Sequence, residues 1–433
     1  MRRFTAVIAL LAVATLAAAP VFANGQQEGA EGEDGVQTIT YYLWEDPTIE
    51  RVIDAFEESQ DEIVVDRQIV SAADYETKMA TLLAGGAEMD AYMQKRQADM
   101  FPHYASGYIE PLDDLASERG FDLDMISAYV PSLQIEGNLV AIPFRAGQYY
   151  TYYNEAVFED AGIPTPDTYV ENGEWTWAKF EEVANEIATG DGEVYGGLIY
   201  TWGSQHTFPA FQEGVQFITP DGEIDINDSV VESLNMRKRL EENEAIVPLV
   251  ELKATKTHYS QAFYAGNVGM LLIGEWFPGM MLKAKEDGLL RGYTWDEWGI
   301  TRLPSDVDPY TAIGNPTFSH VHADSDQKEA AFDFIAWMGG PEGAEYMANA
   351  GFLTPVMTEG VREELSAVIP DESSLDYFTE EAAHSPMLLS PYGSRVDLFL
   401  GDLTEAYMQG DIERSELEQE LIEGLEEIIE TTN

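Results

Sequence analysis

The stretch TITYYLWEDPTIERVIDAF (residues 38–56) decides the fold. Thr38 to Leu43 is a run of β-branched and aromatic side chains, the composition of a buried strand. Asp46-Pro47 then supplies a helix N-cap followed by proline at the first helical position. Ile49, Val52, Ile53 and Phe56 fall on one face of the helix that this start predicts. The unit then repeats. Ile63 to Val70 reads as a second strand, and Tyr75, Met79, Leu82 and Leu83 mark a second helix ending at Gly85-Gly86. Asp90 to Gln94 reads as a short third strand, with a helix near 98–105 after it. This alternation predicts a mostly parallel sheet covered by helices.

A second α/β segment begins near residue 145. Thr176 caps a helix carrying Phe180, Val183 and Ile187, and Val194 to Thr201 reads as a strand. Pro220-Asp221-Gly222 is a turn ahead of a short strand at Glu223 to Ile226, and a helix spans Ser229 to Asn243. Gly269 to Ile273 (GMLLI) is a further buried strand, and Lys328 to Met338 a helix. Ser415 and Glu418 stand as a capping box ahead of a last amphipathic helix with Leu417, Leu421, Leu425 and Ile428 inward. At 433 residues and 48.1 kDa the chain is too long for one ordinary core and suits two lobes.

The acid content bounds the partners. Asp and Glu number 79 against 23 Lys and Arg, a formal net charge of −56. Such a field repels nucleic-acid phosphates and anionic headgroups, so no nucleic-acid partner is expected. An acidic, solvated surface of this kind suits a salty exterior. The absence of cysteine excludes disulfides, thiolate metal sites, a Cys nucleophile and a lipidated N-terminal Cys. Residues 1–23 read as a secretory signal: Arg2 and Arg3, an apolar run from Ala6 to Ala19, and small side chains at Val21-Phe22-Ala23, with cleavage expected after Ala23. Residues 24–36, rich in Gly, Gln and Glu, read as a flexible acidic leader.

Catalytic motifs are missing. There is no GxxxxGK[ST], no GxGxxG after a strand, no GxSxG and no HExxH. His320 and His322 share one face of a strand but lack a recognisable third metal ligand. Asp221 to Asp228 (DGEIDIND) misses the spacing of a calcium loop. No metal and no cofactor is expected. Among 79 acids no carboxylate pair stands out for glycoside hydrolysis, which leaves a secreted glycoside hydrolase as the alternative from a different class. A surface adhesin would carry repeats or a wall anchor, and neither is found.

Aromatic residues at strand ends stand out instead. Trp44 ends the first strand, Trp202 follows Val194 to Thr201, and Trp276 follows Gly269 to Ile273. Ligands of open α/β sheets bind outside the carboxyl ends of strands, and flat indoles suit the apolar faces of sugar rings. Polar groups lie beside them. Asp46 follows Trp44, with helix capping as its other role. Lys95 and Arg96 follow the third strand, Glu275 precedes Trp276, and Arg145 stands where the chain leaves one lobe for the other. Trp44, Asp46, Lys95, Arg96, Arg145, Trp202, Glu275 and Trp276 are therefore the candidate ligand-binding residues.

Seven blocks carry a family resemblance in order along the chain: 38–44, YETKMATLLAGG (75–86), GYIEPLDDL (107–115), GNLVAIPFRAGQYYTYYNEAVFEDAGIPTP (137–166), TWAKFEEVANEI (176–187), FYAGNVGMLLIGEW (263–276) and QKEAAFDFIAWMGGPEGAEYMANAGFLTPV (327–356). The sequence resembles the extracellular solute-binding proteins of family 1, the carbohydrate-binding subunits of ABC importers. It departs from them at Asn267 and Gly269, where Lys and Ala are usual, at Met89-Asp90 in place of Pro-Asp, and in lacking a lipid-attachment Cys. The resemblance implies a two-lobed α/β periplasmic-binding-protein fold that closes about a hinge on a ligand in the interlobe cleft. It implies an N-terminal lobe of 37–143 with 317–357 and a C-terminal lobe of 144–316 with 358–433. The crossings would lie near 143–146, 314–318 and 356–359, and Asn315, beside Gly314 at the second, would face the ligand. The implied role is that of a free periplasmic monomer that delivers a sugar or oligosaccharide to a membrane-embedded ABC permease without catalysis. A polyol, glycerol phosphate or an acidic sugar is the alternative cargo, and Lys95, Arg96 and Arg145 would matter for an anion.

Overall fold

Gln37–Trp44, the strand opened by that β-branched run, lies inside a five-stranded sheet. In the computed structural model, which describes residues 35–432 apart from Ala73 and Lys95, the strand order is Ile63–Val70, Gln37–Trp44, Ala91–Gln94, Thr317–Val321, Ile142–Arg145. The expected export signal at 1–23 and most of the leader at 24–36 lie outside the described residues, as does Lys95. The first three strands are parallel, as the alternation predicts. Thr317–Val321 runs antiparallel to both neighbours, because it brings the chain back from the second lobe. Helix Pro47–Ser59 starts where its cap predicts: Asp46 Oδ1 accepts the Thr48 N–H at 2.9 Å, and Ile49, Val52, Ile53 and Phe56 are buried. Each such apolar side chain contributes on the order of 1.5–3 kcal/mol of transfer free energy.

A four-stranded sheet forms the second lobe, in the order Trp298–Thr301, Tyr149–Asn154, Val268–Gly274, Tyr195–Ile199. Only the last pair is parallel. Successive side chains of a strand point to opposite faces, and Val268–Gly274 shows it. Leu271 and Ile273 join a hydrophobic cluster continuous with the first lobe, while Met270 and Leu272 join a second cluster with Phe180, Val183 and Leu234. The last helix, Leu417–Thr432, packs Leu417, Leu421, Leu425 and Ile428 into that second cluster. The expected capping box is displaced: it is Glu416, not Glu418, whose carboxylate reaches back, to the Glu413 N–H at 3.4 Å. Thr176 caps Trp177–Ile187 as its position predicts, accepting from Lys179 N at 3.1 Å.

The five-stranded sheet is tied to the second lobe where Ala146–Gln148 links Ile142–Arg145 to Tyr149–Asn154, and where Gly314–Pro316 links Thr311–Ile313, a strand paired with Ala383–Ser385, to Thr317–Val321. The two linkers touch through a bridge between Gln148 and Gly314. A Cβ on Gly147 would sit 1.7 Å from the Asn315 carbonyl oxygen, and Gly147 also has φ +68°, so no side chain fits there. Further on, helix Glu359–Ser366 packs on Pro341–Asn349, and Glu372–Phe378 packs on Trp298–Thr301. The last passage towards the four-stranded sheet thus extends over two helices.

His320 is buried, with Nδ1 2.6 Å from the Val140 carbonyl and Nε2 3.2 Å from Gln94 Oε1. His322 stacks on Tyr108. Among the described residues no group of side chains has the makings of a metal site.

Candidate functional site

The parallel pairing of Val268–Gly274 with Tyr195–Ile199 sets Leu272 opposite Ile199, so both strands end at one place. The residues just beyond the two strands are therefore brought together: Tyr200 and Trp202 from one, Glu275 and Trp276 from the other. The Trp202 and Trp276 rings lie 6.0 Å apart. Trp276 folds back over Gly274, where a Cβ would fall 2.1 Å from the indole. Its Nε1–H donates to Tyr259 Oη at 2.8 Å, and Tyr149 meets its edge at 5.7 Å. Tyr200 packs edge-on against Trp202 at 5.4 Å and Tyr259 at 5.1 Å. Trp202 remains 37% exposed, the only Trp among the exposed large hydrophobic residues described. The result is an aromatic wall with an accessible indole. Sequence reading found the two tryptophans and missed Tyr149, Tyr200 and Tyr259. Tyr200 alone had a readable signal, lying at the end of the segment read as a strand, two positions before Trp202.

Trp44 is placed differently. It is 7% exposed and meets Tyr75 edge-on at 5.3 Å, so it is core packing rather than a presented ring. The expectation of three indoles lining one cleft is corrected to two.

Below the wall, residues from both lobes meet at the linkers. Arg145 donates to Asp46 Oδ2 at 2.7 Å, and its guanidinium lies 3.7 Å over the Phe352 ring. Asp46 thus caps its helix and binds Arg145 together. Burial pushes its carboxyl up, but the Arg145 charge and hydrogen bond, with the N–H groups of Thr48 and Ile49, bring it below the ordinary value. The residue after Phe352, Leu353, donates its N–H to Glu275 Oε2 at 3.0 Å, and the Leu353 carbonyl accepts from Ala146 N at 2.9 Å. Glu275 N donates to the Gln148 carbonyl at 2.8 Å. Glu275 is 1% exposed, and burial pushes its carboxyl up to about 8 although Arg145 and the N–H groups of Leu353 and Gly147 pull it down. It ties linker to sheet.

Two candidates have other duties. Arg96 donates to Asp99 Oδ2 at 2.8 Å and lines a groove along the outside of helix Tyr75–Ala84. Asn315 uses both ends of its amide on Met387, donating to its carbonyl and accepting its N–H, each at 2.9 Å. The expectation that Asn315 faces a ligand is corrected: it anchors the second linker.

Two α/β lobes tied by crossing segments, with an aromatic wall and a buried ion pair where they meet, define a solute-binding clamp. The chain belongs to the bacterial extracellular solute-binding protein family, whose sequence pattern it matches over residues 51–371. Proteins of this class bind their solute without transforming it. A lactose-binding protein of Rhizobium radiobacter is 24% identical over 300 residues, a match spanning 66% of this chain and 64% of that one. A sugar transporter structure from Rhizobium etli, in an open conformation, superposes with a TM-score of 0.75 at 25% identity, over 90% of this chain and 99% of that one. An ABC substrate-binding protein from Listeria monocytogenes, in complex with cycloalternan, gives 0.74 at 21% identity over 91% and 98% of the two chains, a likeness of fold. No helix among the described residues is long and apolar enough to cross a membrane.

Proposed function

We propose that this protein captures a sugar or oligosaccharide between its lobes and delivers it to a membrane-embedded ABC permease. The observation that carries the reading is the wall of Trp202, Trp276 and Tyr259, with Trp202 exposed at the shared end of two parallel strands. Indoles present flat apolar faces to the C–H faces of pyranose rings. The Arg145–Asp46 pair offers charged hydrogen-bonding groups to hydroxyls at the base of the wall. The lactose-binding relative and the two sugar-protein structures support the same class of cargo. The lobes comprise 37–143 with 317–357, and 144–316 with 358–433. The protein works as an exported periplasmic monomer, cleaved after Ala23, with no nucleic-acid partner.

A thermal-shift screen of the chain from residue 24 onward, in high salt, tests this. A solute that binds only the folded state raises Tm by mass action. Neutral mono- and oligosaccharides should raise it and be recovered intact. A panel in which only sugar phosphates, polyols, peptides or metal ions shift Tm would overturn the assignment.

A further inference from the structure

The lobes also touch away from their linkers. The turn Gln97–Asp99 leaves the carboxyl end of Ala91–Gln94 in the five-stranded sheet. Helix Gly393–Gln409 belongs to the other side, packing on the segment Gly203–Thr207 and on helix Asp228–Glu242. Its seat is close: a Cβ on Gly203 would lie 1.9 Å from the Asp397 carbonyl, and Asp397 Oδ1 accepts the Ser204 N–H at 2.7 Å. The helix is thus fixed to the segment that follows Trp202. Its first turn meets the turn from the other lobe. Ser394 Oγ donates to Asp99 Oδ1 at 2.8 Å, and a Cβ on Gly393 would lie 2.8 Å from that of Ala98.

The electrostatics favour this contact. A helix N-terminus carries unpaired N–H groups and a partial positive charge. Tyr392, at the N-cap, supplies no capping side chain. Asp99 brings a carboxylate to that end from the opposite lobe, oriented by Arg96 on its other oxygen. The carboxylate takes the hydroxyl of Ser394 in the first turn, from 295 residues away in sequence, and its charge faces the positive end of the helix.

We infer that Asp99 and Ser394 form an interlobe latch, a carboxylate of one lobe closing on a helix end of the other to hold the cleft shut before any solute is bound. Hydrogen bonds within a lobe survive a hinge rotation, whereas this one is made and broken by it. The latch raises the closed fraction of the free protein, and apparent affinity scales with the fraction in the binding-competent state. Asp99 and Ser394 therefore act on affinity by positioning the lobes, whether or not they touch the solute.

The chain has no cysteine, so dyes on Glu58→Cys and Glu242→Cys, exposed positions on helices of opposite lobes, report the interlobe distance. The ligand-free parent should populate the short-distance state. Ser394→Ala and Asp99→Ala should each move molecules to the long-distance state, and the double variant should go no further than the stronger single one, because both remove one contact. Asp99→Asn, which keeps an acceptor but loses the charge, should fall between parent and Asp99→Ala. Melting curves check that each variant is folded, and the small Ser394→Ala change keeps the test open if Asp99→Ala is not. Distance distributions equal to the parent's in Ser394→Ala, or displacements that add in the double variant, would overturn the latch. The distance is read without solute, so this outcome is independent of the sugar assignment.

Discussion

Trp276 leans on Gly274, Tyr149 and Tyr259 with one ring, and so serves the wall both as surface and as support. Trp276→Ala should weaken sugar binding by about 1–3 kcal/mol, the range for truncating a buried aromatic anchor, measured by calorimetric titration with whichever sugar raises Tm. Equal affinity in variant and parent would make the ring packing alone. Glu275 makes a different prediction, through pH. Its carboxyl is raised from 4.5 to about 8 on folding. A raised carboxyl contributes stability that is present below the unfolded value and is lost as pH rises through the folded one. Glu275→Gln should therefore gain Tm relative to the parent between about pH 5 and pH 8 and hold that gain at pH 9, in molar salt throughout. A constant offset across that range would show that the buried carboxyl does not titrate there. At this scale the sequence was legible for Trp202 and Trp276, whose strands could be read locally. It misled at Trp44 and Asn315, because what each side chain meets is supplied by distant chain: Tyr75 for one, the Met387 backbone for the other.

Elements were legible where period and caps are local. The helix after Asp46-Pro47 and the helix after Thr176 begin where their caps stand. Pairing was not legible in the second lobe. Nothing in YYTYYN (149–154) announces that it runs antiparallel to Val268–Gly274 on one side and to Trp298–Thr301 on the other. Yet that arrangement leaves Tyr195–Ile199 as the parallel partner and brings the two indoles together. The linkers carry the prediction at this scale. Gly147→Ala puts a methyl against the Asn315 carbonyl and strains a φ of +68°, the latter alone costing on the order of 1–3 kcal/mol. The variant should melt several degrees below the parent. Gly214→Ala serves as the control: it also has positive φ, at +86°, but nothing within 4 Å of the added carbon, so its loss should be the smaller. Equal losses would mean that the close contact between linkers contributes nothing.

At the scale of the molecule, charge dominates. With a formal net charge of −56, self-repulsion opposes the compact state and dissolved counterions relieve it. Tm should rise from low to molar salt, and a value unchanged over that range would refute the account. The buried Arg145–Asp46 pair is screened least, so Arg145→Met, which strands the Asp46 carboxylate, should cost about 3–5 kcal/mol in molar salt as in dilute buffer, read from urea unfolding. The sheet order has a further consequence, for how the protein is made. Among the described residues, Thr317–Val321 is the only strand holding Ile142–Arg145 to the rest of its sheet. A ribosome that has released the chain as far as residue 301 has delivered all four strands of the second sheet, but the first is still split, its missing piece unsynthesised. Of the two large sheets, the one that emerges first is the one that is completed last.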